Sequence, residues 1–179
     1  MNEPHVSTDV ERAISDLGDL VWPDGWALPL PAKIIDWLLR RGWFDWKSLI
    51  GRSVRRRWVG GWVRYQLDSR ETARRVLSLN DKEPGTITLL ATELRLGDVF
   101  LDVGASVGIY AIPAAGRVGS SGVVVAVEPR DAGDVIVQHA RLNGFESRVQ
   151  RISRPAVSGG QDSIDVMIER GLILSLIHI

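Results

Sequence analysis

Two kinds of periodicity alternate along the chain. In the N-terminal part the apolar positions recur at helical spacing. Val10, Ile14, Leu17 and Leu20 would share one face, and Thr8-Asp9-Val10-Glu11 ahead of them has the spacing of a capping box, predicting a helix. Pro23-Asp24-Gly25 predicts a turn. Pro31 suits a first helical position, Ile34, Ile35, Leu38 and Leu39 form a face, and Gly42 suits the stop. Trp58-Val59, Gly60-Gly61 and Trp62 to Leu67 predict a hairpin with a two-residue turn. Ser69 is placed to cap a helix through about Leu79, and Pro84 to open another with Ile87, Leu90 and Leu94 inward.

Beyond about residue 97 the pattern changes. Short continuous apolar runs appear at Asp98–Val103 (DVFLDV) and Val123–Glu128 (VVVAVE), with a weaker one at Arg148–Ser153. Between them lie helical patterns at Val107–Val118 and Asp131–Asn143, the latter stopped by Asn143-Gly144. Unbroken apolar strands alternating with helices predict a parallel sheet covered on both faces. The fold class expected is therefore α/β, a Rossmann-like core formed by residues 81–179, preceded by a mostly helical, Trp-rich extension over residues 1–80.

Composition supports that division. The chain has 179 residues, somewhat more than one domain at roughly 150 residues each. All seven Trp precede residue 63. Residues 1–80 carry 13 Lys+Arg against 10 Asp+Glu, and residues 81–179 carry 9 against 12, so a net charge of zero hides halves of +3 and −3. The zero total argues against a dedicated nucleic-acid binder, which displaces counterions with surplus cations. No apolar run approaches the roughly 18–20 residues of a membrane span. The first residues lack the pattern of a secretory signal. Cysteine is absent, which removes disulfides and thiolate chemistry and suits a cytoplasmic protein.

The chemistry concentrates after the first apolar strand, in Asp102-Val103-Gly104-Ala105-Ser106-Val107-Gly108-Ile109-Tyr110. In open parallel sheets, ligands sit beyond the carboxyl ends of strands where the winding reverses. Gly104 allows close backbone approach, and Gly108 lets the next helix start tight against the strand. That helix start offers amides and a positive dipole end. Asp102 interrupts an apolar strand, and a buried carboxylate requires compensation. Glu128 ends the second strand, 20 residues past Gly108, where an acid can accept two hydrogen bonds from vicinal ribose hydroxyls.

Together these residues describe a nucleoside pocket. The G-x-x-x-G spacing differs from the G-x-G-x-x-G of dinucleotide sites, and Asp102 would bring negative charge near a pyrophosphate. A ligand carrying an ammonium group suits the site better. S-adenosylmethionine has one, plus a carboxylate for the helix amides and a ribose for Glu128. A dinucleotide-dependent oxidoreductase is the alternative, and a Gly-rich packing turn with a structural Asp is the bland one.

The stretch GDVFLDVGASVGIYAIPAAGRVGSSGVVVAVEP, followed by ARLNG and PAVSGG, resembles the FkbM-type family of S-adenosylmethionine-dependent methyltransferases. Asp102 to Tyr110, Ala115 to Gly122 and Glu128-Pro129 match its motifs, and Glu83-Pro84 resembles its upstream Glu-Pro; Ser106 stands where that family usually has Asn. The resemblance covers about residues 60–160. It implies cofactor contacts from Asp102, Gly104, Gly108 and Glu128, from Ala105, Ser106 and Pro129 in the same motifs, and from Glu83, Tyr110 and Ala156. It also implies O-methylation of a small-molecule or sugar hydroxyl, so the partners expected are a small-molecule or glycan acceptor and no nucleic acid. The general base is not identified. The family continues with a fourth strand after a segment like Asp162–Gly171, so the chain reads as a fragment, and Leu174–Ile179 (LSLIHI) resembles translated adaptor sequence.

Two further features are legible. Arg52, Arg55, Arg56 and Arg57 beside Trp58 and Trp62 read as a solvated face of an Arg-rich chain, with single-stranded nucleic acid or another partner as the alternative. The Trp-rich segment from Trp37 to Trp46 reads as filling a small core. His5, His139 and His178 lack metal-ligand spacing, and His139, on a polar helix, is expected at the surface.

Overall fold

A computed structural model of the chain describes residues 20–21, 34, 37–38, 41–42, 45–58, 61–77, 86, 90–129, 133–153 and 172–175. Contacts divide the chain into two compact units, Met1–Glu93 and Leu94–Ile179.

In the first unit the described residues form a three-stranded antiparallel sheet of β1 (Leu20–Val21), β2 (Arg52–Trp58) and β3 (Gly61–Leu67), in that order. A 3₁₀ turn, Trp46–Leu49, leads into β2, its first turn capped by Asp45. Helix α1 (Arg70–Leu77) follows β3. The register pairs Trp58 with Gly61, so Gly61 already lies in β3 and not in the Gly60-Gly61 turn expected. Val54, Trp58, Val63, Tyr65 and Leu67 alternate into a buried face, as a half-buried antiparallel pair requires.

The cap expected at Ser69 is present: its hydroxyl accepts from the Thr72 amide at 3.1 Å. Leu20 lies in a strand rather than on the helical face expected for it, because residues 20–21 pair with Arg56 and Arg55 of β2. Among the described residues this unit is thus as much sheet as helix: at Leu20, backbone pairing with β2 overrode a local period. The rest of the helix expected from Thr8 lies outside the described residues.

The second unit is mixed α/β. Its parallel sheet comprises β4 (Val99–Val103), β5 (Val123–Val127), β6 (Val149–Ile152) and β7 (Leu172–Ser175), ordered β6-β5-β4-β7. Helix α2 (Ala111–Val118) joins β4 to β5, and α3 (Gly133–Leu142) joins β5 to β6. On one sheet face Phe100, Val124 and Ala126 are fully buried. On the other, Leu101, Val125 and Val127 cluster with Val103, Val123 and Ile152. Both faces are apolar, which is why these strands read as continuous rather than alternating runs.

The chain moves outward from β4 through β5 to β6 and then returns to β7 on the far side of β4. The winding therefore reverses at β4, whose carboxyl end is the topological switch point. Residues 172–175 supply the strand on that far side, with Asp102 paired to Ser175; Leu174 and Ser175 belong to the stretch that resembles adaptor sequence.

Close packing fixes one bend. A Cβ on Gly122 would lie 2.3 Å from Val118 Cβ and 2.7 Å from the Asp98 carbonyl, so only glycine lets the chain turn from α2 into β5 there.

Candidate cofactor site at the carboxyl ends of β4 and β5

The site begins with strand register. Asp102 pairs with Ala126, and the Glu128 amide donates to the Ile152 carbonyl at 3.0 Å, carrying the β5 ladder one residue past Val127. Residues two apart on a strand share a face, so Asp102 and Glu128 leave the sheet on the same side at neighbouring strand ends. Both are buried, at 3% and 1% exposure.

The loop between β4 and α2 is longer than the helical pattern suggests. Its residues 104–110 form turns, and α2 begins at Ala111 rather than Val107. Three alternate positions are left-handed: Gly104 (φ 78°), Ser106 (φ 51°) and Gly108 (φ 80°). The two glycines adopt that conformation without strain. Ser106 does not, and a serine at positive φ requires its surroundings to hold it.

The hydrogen bonds show what holds it. The amides of Gly104 and Ala105 both donate to the Val127 carbonyl, at 2.9 and 3.1 Å, binding the loop to the end of β5. The Ser106 amide donates to Glu128 Oε2 at 2.9 Å. The Gly108 amide donates to the Ala105 carbonyl at 2.8 Å. Four loop amides are thereby committed inside the protein, among them that of Gly108, in the helix start expected to receive a ligand's carboxylate. Glu128, expected to serve a ribose, also serves the loop. A carboxylate has about four lone-pair sites, so one amide leaves it acceptor capacity for hydroxyl donors.

Of the other residues expected here, Ala105 is buried, Tyr110 is the half-buried N-cap residue of α2, and Pro129 follows Glu128 at an exposed position. Glu83 and Ala156 lie outside the described residues.

One residue of this region was not read from the sequence. His139 of α3 is fully buried, not at the surface, and its Nδ1 lies 2.9 Å from the Val107 carbonyl of the loop. Its burial depends on a partner 32 residues away, which helical spacing within α3 does not reveal. The neighbouring Ile136, buried on the same helix face, gave the available signal.

The basic cluster of the first unit is not uniformly solvated. Arg56 is buried, its guanidinium donating to the Val76 and Leu77 carbonyls at the end of α1. Arg57 is exposed and Arg55 half-buried; their guanidinium carbons stand 5.9 and 5.6 Å from the centre of the Trp62 ring. Trp58 is buried, whereas Trp62 and Trp37 are 39% and 43% exposed, so core filling accounts for only part of the Trp content.

No family model and no curated protein matches the chain. A solved structure, a "putative rRNA-methylase" from Clostridium thermocellum, matches at a TM-score of 0.34 and 22% identity, over 35% of this chain and 34% of that one. The match thus spans about a third of that protein's length. Likeness at that level carries no argument about this chain's activity. That protein is named for an RNA substrate, against the expectation here of a small-molecule or glycan acceptor with nucleic acid excluded, and the exclusion is withdrawn. The physical ground for the exclusion was also weak: a net charge of zero is a sum over halves of opposite sign and says nothing of a local basic surface. Among the described residues no helix is long and apolar enough to cross a membrane.

Proposed function

We propose that this chain carries the cofactor-binding part of an S-adenosylmethionine-dependent methyltransferase, similar to the FkbM-type family. The supporting observation is the same-face placement of two buried carboxylates, Asp102 and Glu128, at neighbouring strand ends beside the switch point. Glu128 suits ribose hydroxyls, and Asp102 suits a cationic aminoacyl end. The loop favours that ligand over a dinucleotide. A pyrophosphate needs backbone amides turned toward it, and those of Gly104, Ala105 and Ser106 are donated to Val127 and Glu128 instead. Asp102 would also repel the phosphate charge.

The bound cofactor would supply an activated methyl group. The residues described here bind and orient it, and alignment of acceptor, methyl carbon and sulfur contributes much of the rate in such a displacement. Ala105, Ser106, Gly104, Gly108 and Tyr110 form the wall of this site in the proposal, with Pro129 at its rim. Calorimetric titration with S-adenosylhomocysteine and with NAD tests it. Binding of the first alone supports the reading; binding of NAD alone replaces it with a dinucleotide-dependent enzyme.

A further inference from the structure

His139 is a fully buried imidazole 2.9 Å from a main-chain carbonyl, and that carbonyl belongs to Val107, in the middle of the glycine loop. A carbonyl oxygen only accepts, so Nδ1 carries the proton. The partner is one residue from Ser106, whose amide is held by Glu128. Two successive loop residues are therefore gripped by side chains of two different elements, one through its amide and one through its carbonyl. The segment they grip contains Ser106, a non-glycine residue at positive φ. Helix α3 reinforces the grip one turn earlier: a Cβ placed on Gly108 would lie 3.5 Å from Ile136 Cγ1. Asn143 Nδ2, in turn, donates to the His139 carbonyl at 2.8 Å, tying down the last turn of that helix.

We propose that His139 is a positioning residue for the cofactor loop: its Nδ1–H, donated to Val107, holds the Ser106–Gly108 turn in the shape against which the ligand packs. The inference rests on the proposed function for the identity of the ligand, and on the hydrogen bond alone for the loop. Without the donor, the Val107 carbonyl is left buried and unsatisfied, a cost the loop relieves by turning away. Ser106 then has less to hold its strained backbone.

The geometry supplies a conservative control. In asparagine, Nδ2 is attached to Cγ, as Nδ1 is in histidine, so His139→Asn keeps a donor at the same branch point. His139→Leu puts a methyl group there. The experiment combines amide hydrogen exchange across residues 104–110 with S-adenosylhomocysteine titration, on the wild-type chain and both variants. The expected result for His139→Leu is exchange at Ser106–Gly108 at least tenfold faster relative to β4 and β5, with affinity about tenfold weaker, the scale of one buried hydrogen bond. His139→Asn should stay within about threefold of wild type in both.

If His139→Leu does not fold, loop protection and affinity in His139→Asn decide alone: retention supports the donor role, and loss to the extent of tenfold overturns it. Unchanged loop exchange and affinity in a folded His139→Leu also overturn it. Failure of the wild-type chain to bind S-adenosylhomocysteine overturns the proposed function, while the exchange data still decide the role of His139.

Discussion

The Ser106 amide donates a 2.9 Å hydrogen bond to the carboxylate of Glu128, so the acid at the end of β5 and the turn after β4 are one mechanical unit. Removing the carboxylate has two consequences. Glu128→Ala leaves a buried amide without its acceptor and should cost about 1–3 kcal/mol of stability. Glu128→Gln keeps an acceptor oxygen and should cost less, yet both should weaken S-adenosylhomocysteine binding about tenfold or more, because the charge-assisted contact to the ribose is lost. Denaturant unfolding and calorimetry on the two variants separate these effects. Equal stability loss with unaltered affinity would reduce Glu128 to a structural residue.

Ser106 itself tests the strain. At φ 51° a glycine is relaxed where serine is not, although glycine loses more entropy on folding. Ser106→Gly should therefore change stability by no more than about 0.5 kcal/mol, the two effects offsetting. Ser106→Val, β-branched at positive φ and in a buried position, should cost more than about 2 kcal/mol. Thermal unfolding that ranks valine equal to glycine would remove the claim of strain.

Much of the second unit was legible because its elements are local. Each apolar strand run stands within a residue of the observed β4, β5 or β6, and Asp102, Gly104, Gly108 and Glu128 emerged from strand ends and spacing. What was missed depended on long-range partners. The helix after β4 starts four residues late because left-handed Gly104, Ser106 and Gly108 make that segment a bound turn. His139 and Arg56 looked like surface groups because the carbonyls that admit them to the interior, at Val107 and at Val76 and Leu77, lie more than one element away. Leu20 was misread because strand pairing, not its own sequence, fixes its state.

Neighbouring arginines of β2 should behave oppositely. Arg56 is 1% exposed and satisfies carbonyls at the end of α1, so Arg56→Leu should cost about 1–3 kcal/mol by stripping buried acceptors. Arg57 is exposed, and Arg57→Leu should stay within about 0.5 kcal/mol. Chemical denaturation of the pair checks this, and similar losses at both positions would contradict the burial of Arg56.

Alkaline pH should act through Tyr65. Burial holds its phenol far above the ordinary value of 10.0, an effect that the nearby Arg56 charge and a hydrogen bond with Trp58 only partly offset. The folded state then keeps a proton that the unfolded state releases. The stabilisation is complete below pH 10 and is lost as pH rises beyond it, with a slope approaching about 1.4 kcal/mol per pH unit. Tyr65→Phe should remove that share of the slope. A variant whose stability falls above pH 10 as steeply as that of the wild type would refute the assignment.

The most direct measurement is isothermal titration of the folded chain with S-adenosylhomocysteine, paired with Asp102→Asn, which keeps the shape of the side chain and deletes its charge. One ligand per chain, no response to NAD, and affinity weakened about tenfold by the substitution is the outcome expected if the two strand-end acids share one aminoacyl nucleoside. Tight binding that Asp102→Asn leaves untouched, or NAD binding in its place, would contradict the account.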